Sequence, residues 1–289
     1  MATVLETVAT QDVRATLMYA GAIEGRARLD TTNPPNSNLA LDPHEVVIHN
    51  GREVWGHHSL ESNGFAFVKH ECAVARDPEL FEEGNAQQIV PTGRLAYYSN
   101  TMIEFLRDHV GAHYMVPQVG SFLARSSARA KKKTWAGTAD MVHLDYTREA
   151  ADLFLKWNIE TAGHAPPPYK DFAFIQTWRA LSQGPQDNTL AICDGASVPV
   201  EDGVVIDAVM GPTDVPGKCF PFRLCKYRAG HKWYYLPAME PDDLLLFKGF
   251  DSREPYSMNA MHSAFTNPLA GPDAEPRRSF EARFIAFFD

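Results

Sequence analysis

The stretch FAFIQTWRA (172–180) opens the part of the chain that decides the fold, because it is the first of several short β-type runs. The others follow between turns rich in glycine and proline: TLAICD (189–194), VVIDAVM (204–210), FPFRLCKY (220–227), KWYYLP (232–237), DDLLLFKGF (242–250), SAFT (263–266) and FEARFIAFF (280–288). Many short strands with frequent turn residues are typical of a β-sandwich or a β-barrel. We therefore predict a mainly β protein with a core at about residues 136–289.

The residues before this core have a mixed α/β pattern, which we interpret as an N-terminal preface of about residues 1–135. Apolar residues at helical spacing predict a helix at about 78–110 that ends at Gly111, and a second flanking helix at 147–157. The sequence contains no internal repeat and no low-complexity segment. We therefore expect the preface and the core to form one domain that spans residues 1–289.

Three β-type segments are expected within the preface. TLMYAG (16–21) and FAFVKHE (65–71) have the composition of strands. The runs EVVIH and VWGHH flank the pair Asn50-Gly51, which is a strong local signal for a β-hairpin. We therefore predict a hairpin with its turn at these two residues.

Composition and charge narrow the possible partners. The chain has 289 residues, a formal net charge of −9, and 45% hydrophobic and 22% charged residues. These values are typical of a globular protein, and the acidic balance disfavours a nucleic-acid partner. The basic run from Arg125 to Lys133 is open to two interpretations: a solvated loop, or a basic flap that attracts an anionic substrate.

The four cysteines give an indication of the cellular compartment. They form no CxxC pair and are too few for a disulfide scaffold in a chain of this length. No secretory signal and no membrane-spanning stretch is visible in the sequence. We expect reduced cysteines in a cytoplasmic protein without a membrane partner, and a homodimer is the default oligomer.

The segment MVHLDYT (141–147) carries the first two candidate metal ligands. His143 and Asp145 are two residues apart, so on a strand their side chains point to the same face. His262, in MHSAFTNP, is the best candidate for a third ligand. Two histidines and one carboxylate form the facial triad of non-haem iron oxygenases, but zinc hydrolases use the same residue types. The triad alone leaves both kinds of site open.

The final segment EPRRSFEARFIAFFD distinguishes these two kinds of site. On a strand, Arg277, Ser279, Glu281 and Arg283 share one face. An inward-facing Arg-x-Ser pair can bind a carboxylate through the guanidinium and the hydroxyl, as the distal carboxylate of 2-oxoglutarate requires. The alternative is that Arg277 and its neighbour lie in a solvated turn.

Several longer motifs occur in a specific order from about residue 45 to the end. They are VVIHNGREVWGHHSLESNGFAFVKHE, VHLDYT, FAFIQTWRALSQGPQDNTLAICDGASV, HKWYYLPAMEPDDLLLFKGFDS, HSAFTNP and PRRSFEARF. In these motifs the chain resembles the fungal hydroxylase/desaturase family of Fe(II)/2-oxoglutarate-dependent oxygenases. This family includes a gibberellin desaturase and relatives of a cephamycin 7α-methoxylation protein.

The resemblance implies a fold and a set of site residues. The fold is a double-stranded β-helix, the jelly roll of cupin-like proteins, with flanking helices. The iron ligands are His143, Asp145 and His262. The resemblance places 2-oxoglutarate at Arg277 and Ser279, with Arg283 as an alternative anchor, and it places Gln176 in the same pocket. The chain departs from the family pattern at Gln176 and Ala180, where asparagine and proline are expected, and this puts the substrate in doubt.

The implied activity is oxidation of a small specialised metabolite or an amino-acid-derived compound. The reaction consumes O₂ and 2-oxoglutarate and releases succinate and CO₂, and its outcome is hydroxylation, desaturation or oxidative cyclisation. Two alternatives remain open: a catalytically silent accessory subunit of the same fold, and a metal-dependent hydrolase or isomerase. Aromatic residues are expected in the core and the pocket wall, and they include Trp157, Trp178, Trp233, Tyr234 and Tyr235.

Overall fold

The computed structural model describes residues 11–77, 79–80, 82, 89–127, 136–163, 165–215, 217–253 and 260–289. The strands of the N-terminal part are β1 (Val13–Ala20), β2 (Ala27–Asp30), β3 (Leu41–Asn50), β4 (Phe65–Lys69), β5 (Tyr114–Pro117) and β6 (Leu123–Ser126). The later strands are β7 (His143–Leu144), β8 (Asp171–Ala180), β9 (Asn188–Cys193), β10 (Gly203–Val209), β11 (Cys219–Cys225), β12 (Trp233–Tyr235), β13 (Asp243–Asp251), β14 (His262–Thr266) and β15 (Arg278–Phe288). The helices α1 (Gly93–Val110) and α2 (Arg148–Ala162) flank the sheets.

Within these ranges the strands form two curled sheets. The nine-stranded sheet has the order β1-β3-β12-β9-β14-β7-β11-β10-β2. The six-stranded sheet has the order β4-β13-β8-β15-β5, and β6 also pairs with β15. Strands from both sides of residue 135 therefore share both sheets. The predicted mainly β fold with a jelly-roll core is confirmed, and the β-type runs that follow residue 170 each contain a strand.

The two sheets face each other across an apolar layer. Trp178 and Phe247 of the six-stranded sheet pack in one cluster with Leu190 and Ile192 of the nine-stranded sheet. All four side chains are largely withdrawn from solvent, and such burial is the main favourable term in folding. The site described below lies within this layer.

Helix α1 covers the outer face of the six-stranded sheet. Phe280 and Phe284 of β15 pack against Tyr98 and Leu106 of α1, which follow the predicted helical spacing. The helix ends where Gly111 adopts a left-handed conformation with φ 65°. The helical prediction from residue 92 to Gly111 is confirmed, whereas most of the stretch 78–88 lies outside the described residues.

Helix α2 confirms the second helical prediction but is longer than expected. The Thr147 hydroxyl accepts a hydrogen bond from the Ala150 amide and so caps the first turn. The helix continues five residues beyond the expected end at residue 157, to Ala162, and Gly163 at φ 72° terminates it. The reason is that Ile159 still packs on the apolar cluster that α2 covers.

The predicted hairpin at Asn50-Gly51 is wrong. Strand β3 ends at Asn50, and a short 3-10 helix of residues 51–54 follows in place of a returning strand. The Asn50 side chain accepts a hydrogen bond from the Arg52 amide, so it caps this turn. Strand β3 pairs instead with β1 and β12, whereas β4 pairs in the other sheet.

The structure also bears on the predictions about the cysteines, membrane-spanning segments and the basic run. The four cysteines are free, and three of them are buried. No helix in the described ranges is both long and apolar enough to cross a bilayer. Most of the basic run Arg125–Lys133 lies outside the described residues, so its two interpretations stay open.

Candidate active site

Strands β7 and β14 bring the two candidate histidines together. The strands are antiparallel neighbours, and His143 is the direct register partner of His262. Their ring centroids are 4.2 Å apart. Asp145 follows β7 immediately, with Oδ1 3.5 Å from Nε2 of His143 and Oδ2 3.8 Å from Nε2 of His262. One donor atom from each residue lies within 4.8 Å of the other two, a spacing that can hold a metal ion.

Backbone carbonyls orient both imidazoles. Nδ1 of His143 lies 2.7 Å from the carbonyl oxygen of Met141, and Nδ1 of His262 lies 3.3 Å from that of Ala260. Because a carbonyl oxygen only accepts, each Nδ1 carries a proton, and Nε2 is the ring nitrogen that faces Asp145. Burial and the neighbouring His143 lower the pKa of His262 to about 4, so it is neutral at pH 7, as a metal ligand must be.

Asp145 is held as a carboxylate. Burial by itself would raise its pKa, but the adjacent guanidinium of Arg283 opposes burial, and the pKa lies well below its usual range. Nη2 of Arg283 lies 3.3 Å from Oδ2 of Asp145. Nε of Arg283 donates to Oε1 of Gln176 at 2.6 Å, across the β8–β15 register. Arg283 therefore contacts the candidate ligand Asp145, and Gln176 in turn holds Arg283.

Arg277 immediately precedes β15 and lines the same cavity as Arg283. It is 1% exposed, and its guanidinium lies 5.6 Å from the Trp178 ring. Nη1 donates to Oδ1 of Asn188 at 3.2 Å, but Nε of Arg277 and Oγ of Ser279 are buried without a hydrogen-bond partner among the described residues. Burial lowers the pKa of Arg277 to about 10, which still leaves it charged at neutral pH. Unpaired donors on a buried cation favour an anionic ligand.

One cavity joins the candidate metal site to Arg277. Its lining residues are Arg125, Ala139, His143, Trp178, Leu190, Phe247, His262, Ala264, Arg277, Glu281 and Arg283. His143 and His262 line the cavity together with Arg277, whose Nε has no partner among the described residues. These residues fit an Fe(II) ion and a dicarboxylate that is chelated at one end and held by charge at the other.

The structure also places two residues in the cavity that were not among the predicted site residues. Arg125 and Glu281 line the cavity as an ion pair, with Nε 2.7 Å from Oε1. Glu281 shares the inward face of β15 with the predicted residues, and this two-residue period was the available signal. The sequence marks Arg125 only as the first residue of the basic run, and its place in the cavity depends on the pairing of β6 with β15.

A jelly roll with two histidines and one carboxylate at a buried cavity defines the class of facial-triad metalloenzymes. The chain belongs to a more particular group. It is a member of the Oxidoreductase/YMDC permease-like domain family, whose model matches residues 19–287.

Three comparisons with known proteins agree with this fold and with this class of enzyme. The hydroxylase/desaturase efuI of Hormonema carpetanum is 25% identical over 276 residues, which cover 88% of this chain and 87% of the relative. The Fe(II)/2-oxoglutarate-dependent dioxygenase nvfI of Aspergillus novofumigatus is 27% identical over 252 residues, which cover 87% and 86%. A solved structure of the iron and alpha-ketoglutarate-dependent endoperoxidase NvfI shares the fold, with a TM-score of 0.76, 23% identity, and coverage of 96% and 98%. The resemblance stated from the sequence motifs is confirmed.

Proposed function

We propose that this protein is an Fe(II)- and 2-oxoglutarate-dependent oxygenase that oxidises a C–H bond of a small specialised metabolite. His143, Asp145 and His262 hold the iron, and Arg277 with Ser279 holds the distal carboxylate of 2-oxoglutarate. The observation that carries the proposal is the cavity that connects His143 and His262, whose donor atoms lie within 4.8 Å of that of Asp145, to a buried guanidinium with an unpaired nitrogen among the described residues. The names of the relatives support the same reaction class.

The residues of this chain perform binding, orientation and exclusion of water. When bound, Fe(II) and 2-oxoglutarate supply the oxidising chemistry, which consumes O₂ and releases succinate and CO₂. The two imidazoles and the carboxylate of Asp145 provide the donor set. Trp178 and Phe247 form an apolar wall of the cavity, which limits the access of water and so limits side reactions of the bound co-substrates.

Arg277 is a better anchor for 2-oxoglutarate than Arg283. The guanidinium of Arg283 already contacts Asp145 and Gln176, and it lies 3.6 Å from Glu281. By contrast, Nε of Arg277 has no partner among the described residues. A dicarboxylate that reaches Arg277 satisfies a buried donor, whereas one that reaches Arg283 has to displace existing partners.

Removal of a metal ligand tests the proposed reaction. Protein reconstituted with Fe(II) forms succinate from 2-oxoglutarate in the presence of O₂, even without a known substrate, through uncoupled turnover. We expect His143→Ala and Asp145→Ala to reduce succinate to the level without enzyme, because either change removes a ligand. The exposed His57→Ala serves as a control and retains activity. Succinate formation that is independent of Fe(II) contradicts the proposal. If the unmodified protein forms no succinate, the result supports a silent subunit or a hydrolase.

The anchor role of Arg277 is tested by 2-oxoglutarate binding. Arg277→Lys keeps the charge but loses the guanidinium fork, so we expect binding to weaken by about 2–4 kcal/mol, or roughly 30- to 1000-fold. Calorimetry with Mn(II) in place of iron measures the affinity without turnover. Arg278→Lys, next to it but paired with Glu275 at the surface, is the matched control. Equal affinities of the two variants contradict the assignment.

We propose that the chain functions as one domain in the cytoplasm, with a homodimer as the default assembly. The sharing of both sheets between the residues before and after position 135 supports a single domain. Four free cysteines and the need to keep Fe(II) reduced support the cytoplasm. The net charge of −9 supports a small-molecule partner and disfavours nucleic acid. Hydroxylation, desaturation and cyclisation all agree with this site.

A further inference from the structure

A line of alternating charges runs from β6 to the candidate metal ligand. Nε of Arg125 lies 2.7 Å from Oε1 of Glu281, and Oε2 of Glu281 lies 3.6 Å from Nη2 of Arg283. The same Nη2 lies 3.3 Å from Oδ2 of Asp145. This set of four residues, the charge line, joins the edge of the six-stranded sheet to the facial triad.

The charge line is enclosed, and its members are restrained. Their side chains are 22% exposed for Arg125, 16% for Glu281, and 15% each for Arg283 and Asp145. Charges at such positions interact more strongly than at an open surface, because less water screens them. Gln176 holds Nε of Arg283 at 2.6 Å. The guanidinium is therefore fixed on its Nε side by an amide and on its Nη2 side by two carboxylates.

Each carboxylate of the charge line has a compensating cation. Burial tends to raise the pKa of Glu281, but Arg125 and Arg283 outweigh burial and keep the pKa low. Without Arg125, a charged Glu281 would face the cavity that receives a dicarboxylate and would repel it. Arg125 therefore allows Glu281 to stay ionised inside an anion-binding cavity, where it can act on Arg283.

We propose that Arg283 is a positioning residue that holds Oδ2 of Asp145, so that Asp145 offers a single oxygen to the metal, and that Glu281 fixes Arg283 in this role. The proposal rests on the proposed function, because it concerns the same metal site. A carboxylate that binds through one oxygen leaves three metal positions for 2-oxoglutarate and O₂, whereas a carboxylate that binds through both oxygens leaves fewer. Arg283 thus determines how many positions remain open.

Co(II) binding tests the proposal without any turnover. Partners behind a metal ligand typically contribute about 10- to 100-fold to metal affinity, so we expect Arg283→Lys to weaken Co(II) binding in this range. Glu281→Gln keeps the shape and removes the charge, and we expect a smaller loss, about 3- to 10-fold. The visible spectrum of bound Co(II) changes in both variants, because the ligand atoms of Asp145 change. Glu281→Asp restores the charge and recovers part of the affinity.

Controls distinguish this proposal from the proposed function. Arg278→Lys, on the same strand but paired with Glu275 at the surface, leaves the Co(II) affinity and spectrum unchanged. If Arg283→Lys and Glu281→Gln match the unmodified protein in both readouts while His143→Ala loses Co(II), the charge line has no such role and the metal site stands. If Arg283→Lys weakens only 2-oxoglutarate binding, Arg283 is the anchor and the proposal is overturned. If the unmodified protein does not bind Co(II) or Fe(II), the proposed function itself fails.

Discussion

Gly51 occupies a position where even a methyl group has no room. A Cβ atom there would lie 2.4 Å from Cε2 of Phe67 and 2.7 Å from the carbonyl oxygen of Tyr235. The pair Asn50-Gly51 resembles a hairpin turn in sequence, but the glycine is needed for this close approach between the two sheets. The absence of a side chain is required here for packing and not for a turn with positive φ.

Gly51→Ala therefore destabilises the protein through overpacking. We expect a loss of about 1–3 kcal/mol in the free energy of unfolding, because a ring and a backbone carbonyl both have to move. Gly230→Ala is the control, since a Cβ at this exposed position meets no atom within 4 Å. Its effect should stay within about 0.5 kcal/mol. Urea unfolding measures the free energy of unfolding of both variants. Equal values for Gly51→Ala and Gly230→Ala would show that the residues around Gly51 can move to make room for a methyl group.

At the scale of elements, helix α2 is coupled to the candidate metal site through its first residues. Only Tyr146 and Thr147 separate Asp145 from the start of α2. The Tyr146 hydroxyl donates to Gln118, and the Tyr146 carbonyl accepts from Nη1 of Arg223 at 2.8 Å. The segment that carries Asp145 is therefore held at both its side chains and its backbone, and the cap of α2 is one of the restraints.

Thr147→Ala removes this cap and leaves the Ala150 amide without its acceptor. We expect a loss of about 1 kcal/mol of stability, within the usual range of about 0.5–2 kcal/mol for such caps. Thr147→Ser keeps the oxygen and should lose far less. Thermal unfolding of the two variants checks the difference, and indistinguishable melting temperatures would argue against a role for the hydroxyl.

At the scale of the whole molecule, one buried arginine connects α1, the six-stranded sheet and the loop before β13. Arg179 is fully buried and donates to the Tyr98 hydroxyl at 3.1 Å, the Pro241 carbonyl at 2.7 Å and Nδ1 of His70 at 3.2 Å. Because Nδ1 accepts from a cation, His70 has to be neutral. Burial and Arg179 together lower the pKa of His70 from 6.5 to about 4.

This depressed pKa makes stability depend on pH. Below pH 6.5 the unfolded chain protonates His70 while the folded chain does not, so stability is present above pH 6.5 and is lost as the pH falls toward 4. His70→Gln keeps an acceptor but cannot titrate. Between pH 6.5 and 4 we expect its unfolding free energy to fall less steeply, by up to about 1.4 kcal/mol per pH unit. Both proteins are measured without metal, so that His262, whose pKa is also lowered, contributes equally to the two profiles and cancels in the comparison.

Parallel pH profiles for the unmodified protein and His70→Gln would contradict this account. They would mean that the folded protein takes up the proton at its ordinary pKa, and hence that Arg179 moves away from the imidazole. Chemical unfolding at several pH values between 4 and 7.5 provides the comparison.

Local patterns were sufficient for much of the fold and for the residue types of the site. The two-residue period of β15 predicted that Arg277, Ser279 and Arg283 face one way and Phe280 the other, because alternation along a strand is a property of the backbone itself. The spacing of apolar residues in α1 and the glycine at its end were also predictable, because the helical period and the helix stop are local properties of the chain. The motif that contains His143 and Asp145 indicated the donor types, and the resemblance indicated His262.

Distances between strands far apart in the chain were not contained in these patterns. The register that sets His143 opposite His262 and the contact of Arg283 with Asp145 join residues more than a hundred positions apart, and they depend on how the two sheets pair and face each other. The role of Gly51 also could not be predicted from local patterns. The Asn-Gly pair is a turn signal, but the structure uses the glycine for close packing against Phe67 and Tyr235. The alternation of side chains along a strand follows from local covalent geometry. Strand register and packing depend on many residues that are distant in sequence. For this reason only the tertiary structure shows that Arg277 and Arg283 have different partners.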